Sequence, residues 1–234
     1  MHRIALILTM LLFGGFLAAN SMAESMVIGE ASIVIPAPTG LSSPSPYDSP
    51  GLISELNRYV QPPSRLLFSF FSPSTIEAAR KDNRHGFNHY WGMVTTRMQA
   101  NERRVVTPEV FLQLEGRMAQ RFASSPKQNV LRNENSYSPV KKSGVVLGDY
   151  TKPHIVSRSS NYITIGSIIT VNQAGMYNAP AYIYSTITML LVKGKVLELN
   201  MYGPTSKKFP SGKTIDQTDN ALAQWIMEIT EANQ

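Results

Sequence analysis

This sequence reads as α+β, an antiparallel β-sheet flanked by helices. Three observations lead there. Beyond residue 143, apolar runs of strand length follow one another, and Val192-Lys193-Gly194-Lys195-Val196 joins two of them as a hairpin. Two amphipathic helices stand on either side of that run. Within one strand, Tyr182, Tyr184, Thr186 and Thr188 alternate with Ile183, Ile187 and Leu191, so one face can meet helices while the other stays partly wet.

The elements can be justified in chain order. Met1 to Arg3 is a short cationic start, Ile4 to Ala19 is apolar without charge, and Ser21-Met22-Ala23 offers small residues before Glu24. That is the pattern of a secretory signal, residues 1–23, cut near Ala23. The uncharged stretch is shorter than the roughly 20 residues that span a bilayer, so no stable membrane anchor is expected after cleavage. Residues 24–234 are expected to form a single α+β domain. Its first apolar run is Ser32 to Ile35, followed by a Pro/Ser-rich segment, 36–50, with five prolines that favour an extended loop.

Asp48 or Ser49 with Pro50 starts a short helix over 50–60, in which Leu52, Ile53, Leu56, Tyr59 and Val60 recur at helical spacing. Ser64 to Ser72 is a dense apolar run between prolines and reads as a buried strand. Ser74 to Lys81 is polar with room for a helical turn. His89 to Met98 is aromatic and β-branched and reads as a strand. Thr107-Pro108-Glu109 combines a hydroxyl cap, a proline and an acid, and starts a helix over 108–122. Residues 123–142 are polar, lack periodicity and read as a surface loop. Strands follow at Gly144 to Tyr150, His154 to Ser157, Tyr162 to Val171, Ala181 to Val192 and Val196 to Tyr202. Asp216 or Thr218 caps a last helix whose Ala221, Leu222, Trp225, Ile226 and Ile229 form one apolar face. Trp225 should clamp that helix to the sheet.

This order of elements, with the Ile35–Gly40 turn (IPAPTG), the Lys-Gly-Lys hairpin and the closing Trp-containing helix, resembles uncharacterised bacterial secreted proteins with the α/β/α architecture of the PsbP/Mog-like group. The resemblance covers most of the chain after residue 23. It implies an α/β/α sandwich and a non-enzymatic assembly, binding or envelope role, and it carries no catalytic signature onto these residues.

Composition narrows the function classes. The 234 residues are 43% hydrophobic and 16% charged, enough apolar content for a real core. With no cysteine there is no disulfide framework, thiolate metal site or cysteine nucleophile. An exported cysteine-free chain without an Asn-x-Ser/Thr acceptor after the signal fits a bacterial periplasm or exterior. Loss of Arg3 lowers the net charge from +6 to +5. The basic residues come only in pairs such as Arg103-Arg104, Lys141-Lys142 and Lys207-Lys208, so no nucleic-acid face is expected.

Motifs of reactive chemistry are weaker than their structural readings. His85 and His89 stand four apart, the spacing of a helical metal pair. Gly86 interrupts them and His89 opens a strand, so they are read as loop histidines and no metal is expected. Ser-x-x-Lys at Ser124–Lys127 and Ser138–Lys141 falls in polar loop, whereas penicillin-recognising enzymes need that serine at a buried helix start. Gly212-Lys213-Thr214 lacks the rest of a phosphate loop, and no Gly-x-Ser-x-Gly elbow occurs. Asp149 and Glu198 form a glycosidase pair only if the fold brings them together.

The aromatic residues are the most suggestive. Phe87, Tyr90 and Trp91, with Tyr177, Tyr182, Tyr184 and Tyr202, can line a cleft or pack between sheet and helices. Tyr90, Trp91 and Tyr184 are the candidate ligand or partner surface. The sequence thus points to an exported binding or accessory protein of the cell envelope, more a binder than an enzyme, with no cofactor. Its partner is an envelope protein or a small ligand. The alternative is an envelope hydrolase whose site gathers two or more of His85, His89, His154, Asp149 and Glu198.

Overall fold

The computed structural model describes residues 23–44, 50–60, 62–82, 90–97, 102–124, 145–150, 153–173, 181–205 and 212–234. Within them lie two antiparallel sheets and four helices of two turns or more. Strands β1 (Glu24–Ile28) and β2 (Ala31–Ile35) pair as a hairpin turned at Gly29, whose φ of 61° suits a residue without Cβ. The large sheet contains β3 (Ser64–Phe71), β4 (Trp91–Arg97), β5 (Val145–Tyr150), β6 (His154–Arg158), β7 (Tyr162–Gln173), β8 (Ala181–Val192) and β9 (Lys195–Thr205). Their order is β3-β4-β9-β8-β7, and β5 and β6 follow one another along the outer edge of β7. Seven strands therefore fill six positions, all antiparallel.

The helices are α1 (Pro50–Tyr59), α2 (Pro73–Asp82), α3 (Pro108–Ser124) and α4 (Gly212–Ala232). Strand register sorts the core into two faces. Val94 lies opposite Leu199, Leu199 opposite Thr188, and Thr188 opposite Thr164, so these side chains share one face. On it, Val94, Leu190, Leu197, Leu199 and Met201 pack against Leu222, Trp225, Ile226 and Ile229 of α4 and Ile28, Ile33 and Ile35 of the hairpin. On the opposite face Phe71 and Trp91 pack against Leu52 and Leu56 of α1 and Ile76 and Ala79 of α2. Arg158 stands opposite Ile163 on that second face, and its guanidinium lies 3.7 Å from Glu115 of α3. Helices thus contact both faces.

Trp225 clamps α4 as its bulk suggested. It is fully buried, meets Phe70 edge-on with ring centroids 5.6 Å apart, and its Nε1–H donates to the Pro36 carbonyl at 2.8 Å. The prolines after β2 accept a bond in spite of lacking donors, which is why a Pro-rich segment can lie in the core. The β8–β9 hairpin turns through Lys193 at φ 45° and Gly194 at φ 73°, a two-residue turn with both central residues left-handed.

The alternation in β8 works in the reverse sense to the simple reading. The hydroxyl-bearing face is the deeply buried one: Tyr184, Thr186 and Thr188 are inaccessible, while Ile183, Ile187 and Leu191 are half-buried. Burial is tolerated because each hydroxyl is satisfied. Thr164 and Thr188 share a bond of 2.8 Å, Thr186 donates to the Met201 carbonyl, and Tyr184 donates to Asp219. The start of α4 also departs from expectation. The helix begins at Gly212, so Asp216 and Thr218 are interior rather than capping, and the Thr218 hydroxyl bonds back to the Thr214 carbonyl at 2.9 Å.

Asn233, just past α4, closes the structure. Its Oδ1 accepts from the Val34 amide at 2.9 Å, and its Nδ2 donates to the Val34 and Ile229 carbonyls at 2.7 Å each. The side-chain amide substitutes for a neighbouring strand along β2. Replacing it, Asn233→Ala, should cost about 1–3 kcal/mol, because the Val34 groups lose partners in a part-buried place. In a chain of this size that lowers the melting temperature by about 2–4 °C per kcal/mol, readable by differential scanning calorimetry.

Candidate functional site

The polar end of the α4-covered face holds the only mixed cluster of tyrosine, histidine and carboxylate among the described side-chain contacts. Two glycines make it. Gly203 lies directly across from Tyr184, and Gly166 lies opposite both Thr186 on β8 and His154 on β6. A Cβ on Gly166 would stand 2.5 Å from the Tyr184 hydroxyl and 3.1 Å from Cε1 of His154. A Cβ on Gly203 would stand 2.5 Å from the Thr218 hydroxyl and 3.0 Å from the Tyr90 ring. Glycine inside a strand marks a close approach, and here it lets Tyr184 and Tyr90 lie down on the sheet.

Tyr184 is fully buried, yet its hydroxyl reaches out to donate to Oδ1 of Asp219 at 3.0 Å. The His154 ring lies nearly parallel to the Tyr184 ring, with centroids 6.5 Å apart. Tyr90, half-buried, donates to Oε1 of Gln217 at 3.3 Å. The corner therefore draws on four places in the chain: the residue before β4, β6, β8 and the first half of α4.

Comparison with protein-family models, curated proteins and solved structures returns no match. The chemistry of the site therefore rests on its own geometry. Burial, foremost, pushes the Asp219 carboxyl above its ordinary value, and the charge of Asp216 adds to this. The Tyr184 hydrogen bond and the nearby His154 pull in the other direction without cancelling it. Burial likewise holds the Tyr184 phenol well above its usual range, helped by the carboxylate it faces. A phenol so placed stays protonated and donates; it is no base or nucleophile near neutral pH. What the corner can do is hold a hydrogen-bonding or charged group.

A raised carboxyl pKa sets the sign of its pH dependence. The folded state binds that proton more tightly than the unfolded chain, so the contribution to stability is full below the ordinary value of 3.8 and is lost as pH rises through the raised value. Asp219→Asn keeps an acceptor for Tyr184 and removes the charge. The variant should melt above wild type at pH 7. That advantage should vanish at acid pH where wild-type Asp219 is neutral, a comparison that melts in matched buffers would make.

The sequence-selected residues are only partly brought together. Tyr90 and Tyr184 share the α4-covered face, Tyr90 beside Gly203 and the Tyr184 hydroxyl over Gly166, with Thr218 of α4 set over Gly203. Trp91 does not: it is 8% exposed on the opposite face, stacked on Tyr202 at 3.9 Å and near Phe71, beneath α1 and α2. The three make no common surface, because Tyr90, just before β4, lies on the α4-covered side while Trp91, the first residue of β4, packs on the other. His85 and His89 lie outside the described residues, as do Phe87 and Tyr177. Glu198 is on the second face, accepting from Thr95 at 3.2 Å with Arg97 at 3.9 Å, and so is separated by the sheet from His154. Asp149 belongs to β5.

Among the described residues no three His, Asp or Glu side chains are placed to hold a metal ion, and no helix is long and apolar enough to cross a membrane. Asp219, Gln217 and the two glycines were missed in the sequence. Gly166 inside a strong strand pattern is the available signal; Gly203 falls just past the strand expected over Val196 to Tyr202, and nothing local to Asp219 reveals a partner thirty-five residues earlier.

Proposed function

We propose that this chain is an exported, non-enzymatic binding protein of the bacterial cell envelope that takes a small ligand or an envelope partner at the corner of Tyr90, Tyr184, His154 and Asp219. One observation carries the non-enzymatic half. Of the groups an envelope hydrolase would gather, the two whose side chains are described are apart: His154 and Glu198 stand on opposite faces of the sheet, and the tyrosine beside His154 is a committed donor. The exported half is supported by the leader pattern of Met1 to Ala23, with Glu24 already the first residue of β1. Helices against both faces of an antiparallel sheet accord with an α/β/α sandwich of the PsbP/Mog-like kind, whose resemblance implies a binding or accessory role.

The test is to express the full chain in a Gram-negative host and recover it from the periplasm by osmotic shock. Intact mass should give a chain starting at Glu24, and native mass spectrometry of that chain should show a non-covalent adduct weakened by Tyr90→Leu. Retention of residues 1–23 in the membrane fraction would overturn export. Hydrolysis of ester, phosphate or glycoside substrates that disappears in His154→Ala would replace the binding reading with the enzymatic one.

A further inference from the structure

Stretches of chain far apart in sequence meet at one end of the strands. The β8–β9 turn lies against residues 102–106: the Val106 amide donates to the Gly194 carbonyl at 2.8 Å, and Nζ of Lys195 donates to the Arg104 carbonyl at 3.0 Å. The β1–β2 turn adjoins both, since a Cβ on Gly29 would run into the Glu102 carbonyl oxygen and stand 3.0 Å from Nζ of Lys195. Lys193 reaches the same hairpin, donating to the Ser32 carbonyl at 3.3 Å. Arg65, near the start of β3, pairs with Glu102 at 3.2 Å. Basic residues that stand only in pairs along the sequence are thereby gathered. Arg65, Arg103, Arg104, Lys193 and Lys195 share this end with the carboxylates Glu30 and Glu102. Arg65 answers Glu102 and Lys195 is buried, so Arg103, Arg104 and Lys193 are the exposed surplus, with Glu30 set against them.

Apolar surface lies among these cations. Val105 is 76% and Val27 64% exposed, the two most open large apolar side chains among the described residues. Val105 follows Arg104 in the chain and leans on the turn, where its Cγ1 would lie 2.7 Å from a Cβ on Gly194. Val27 is paired with Ser32, whose carbonyl accepts from Lys193. Open valines set among basic residues suit a bilayer surface: the cations attract anionic headgroups, and the apolar side chains enter the boundary beneath them. We infer that this end of the molecule docks reversibly on a membrane surface rich in anionic phospholipid, as a peripheral contact. The four residues before Glu102, Met98 to Asn101, carry no charge and leave the surplus as it is. A nucleic acid is a poorer fit, because no aromatic ring in this group offers a base a stacking partner. The docking surface is separate from the Asp219 corner, and either can exist without the other.

The experiment expresses the full chain, purifies it and sediments it with vesicles of phosphatidylcholine alone or of equal parts phosphatidylcholine and phosphatidylglycerol. The readout is the excess binding to the anionic vesicles, since apolar binding through residues 1–23 is common to both vesicles and to every variant. Raising salt from about 0.1 M to about 1 M shortens the screening length from about 10 Å to about 3 Å and should abolish that excess. Arg103→Gln with Arg104→Gln should weaken it about tenfold or more, at about fivefold for each cation lost near the surface. Lys195 bonds to the backbone of Arg104, so this double variant keeps the fold's own contact, and its circular dichroism should match wild type. Val105→Ser should weaken binding several-fold. Arg80→Gln with Lys81→Gln makes the same change in net charge on α2 and should leave binding near wild type. An equal loss in that α2 variant would reduce the effect to overall charge and overturn the site. Full binding by the Arg103 and Arg104 variant, or no excess on anionic vesicles at low salt, would overturn it as well. Tighter binding to a random-sequence DNA duplex, lost with the two arginines and unmoved by Val105→Ser, would put a nucleic acid in the membrane's place.

Discussion

Trp225→Ala should lower the urea midpoint of unfolding more than any other single substitution proposed for this protein. A fully buried tryptophan cut to alanine costs about 3–5 kcal/mol, from lost transfer free energy and from the cavity left behind. Trp225 carries more than area. It meets Phe70 on β3 edge-on at 84°, adds the buried donor to Pro36, and stands in one cluster with the hairpin residues Ile33 and Ile35. Its loss therefore loosens the sheet, α4 and the hairpin together. Against a total stability of about 5–15 kcal/mol, that is a large share. Trp225→Phe separates the parts, since it keeps an aromatic ring against Phe70 and deletes the donor to the Pro36 carbonyl. It should cost about 1–3 kcal/mol, the penalty of a buried acceptor without its partner plus a smaller void. Urea unfolding followed by far-ultraviolet circular dichroism would rank the three proteins. Equal midpoints for wild type and Trp225→Ala would mean α4 is not held as described.

Gly166→Ala should be destabilising in a way that Tyr184→Phe relieves. A methyl at 166 would fall 2.5 Å from the Tyr184 hydroxyl and 2.9 Å from Cγ2 of Val156, closer than a methyl carbon can approach a non-bonded atom. The sheet or the tyrosine must shift, at about 1–3 kcal/mol for such overpacking. Tyr184→Phe alone should also destabilise, by about 1 kcal/mol, since it strips Asp219 of its donor. The two should not add. Removing the hydroxyl removes the main obstacle to the methyl, so the double variant should lie above the sum by about 0.5–3 kcal/mol, the range of coupling between touching groups. A strictly additive cycle would show that Tyr184 and Gly166 do not meet.

Local chemistry made most of the secondary structure legible. Pro50, Pro108 and the Lys193-Gly194 pair each impose a backbone geometry, and the elements they mark lie where those geometries require. The hairpin partner β1 was not read from the sequence, because Glu24, Ser25 and Met26 carry too little apolar pattern to signal a strand until β2 pairs with them. The helix α2 went half-seen for a related reason: it is polar along most of its surface and its contribution to the core comes from Ile76 and Ala79. The site was the least legible part. Tyr184 was singled out for its side chain, but Trp91 was singled out on equal grounds and belongs to the core under α1 and α2. The difference lies in which side of β4 and β8 each helix covers, a property of tertiary packing that local sequence does not contain.

The Asn233 amide also orders assembly in time. Residue 34 and residue 233 are 199 positions apart, and the first hairpin meets its lateral partner only when the last turn of α4 has been delivered. A nascent chain must hold its opening strands unsealed until then, so closure belongs among the slow, long-range steps of folding.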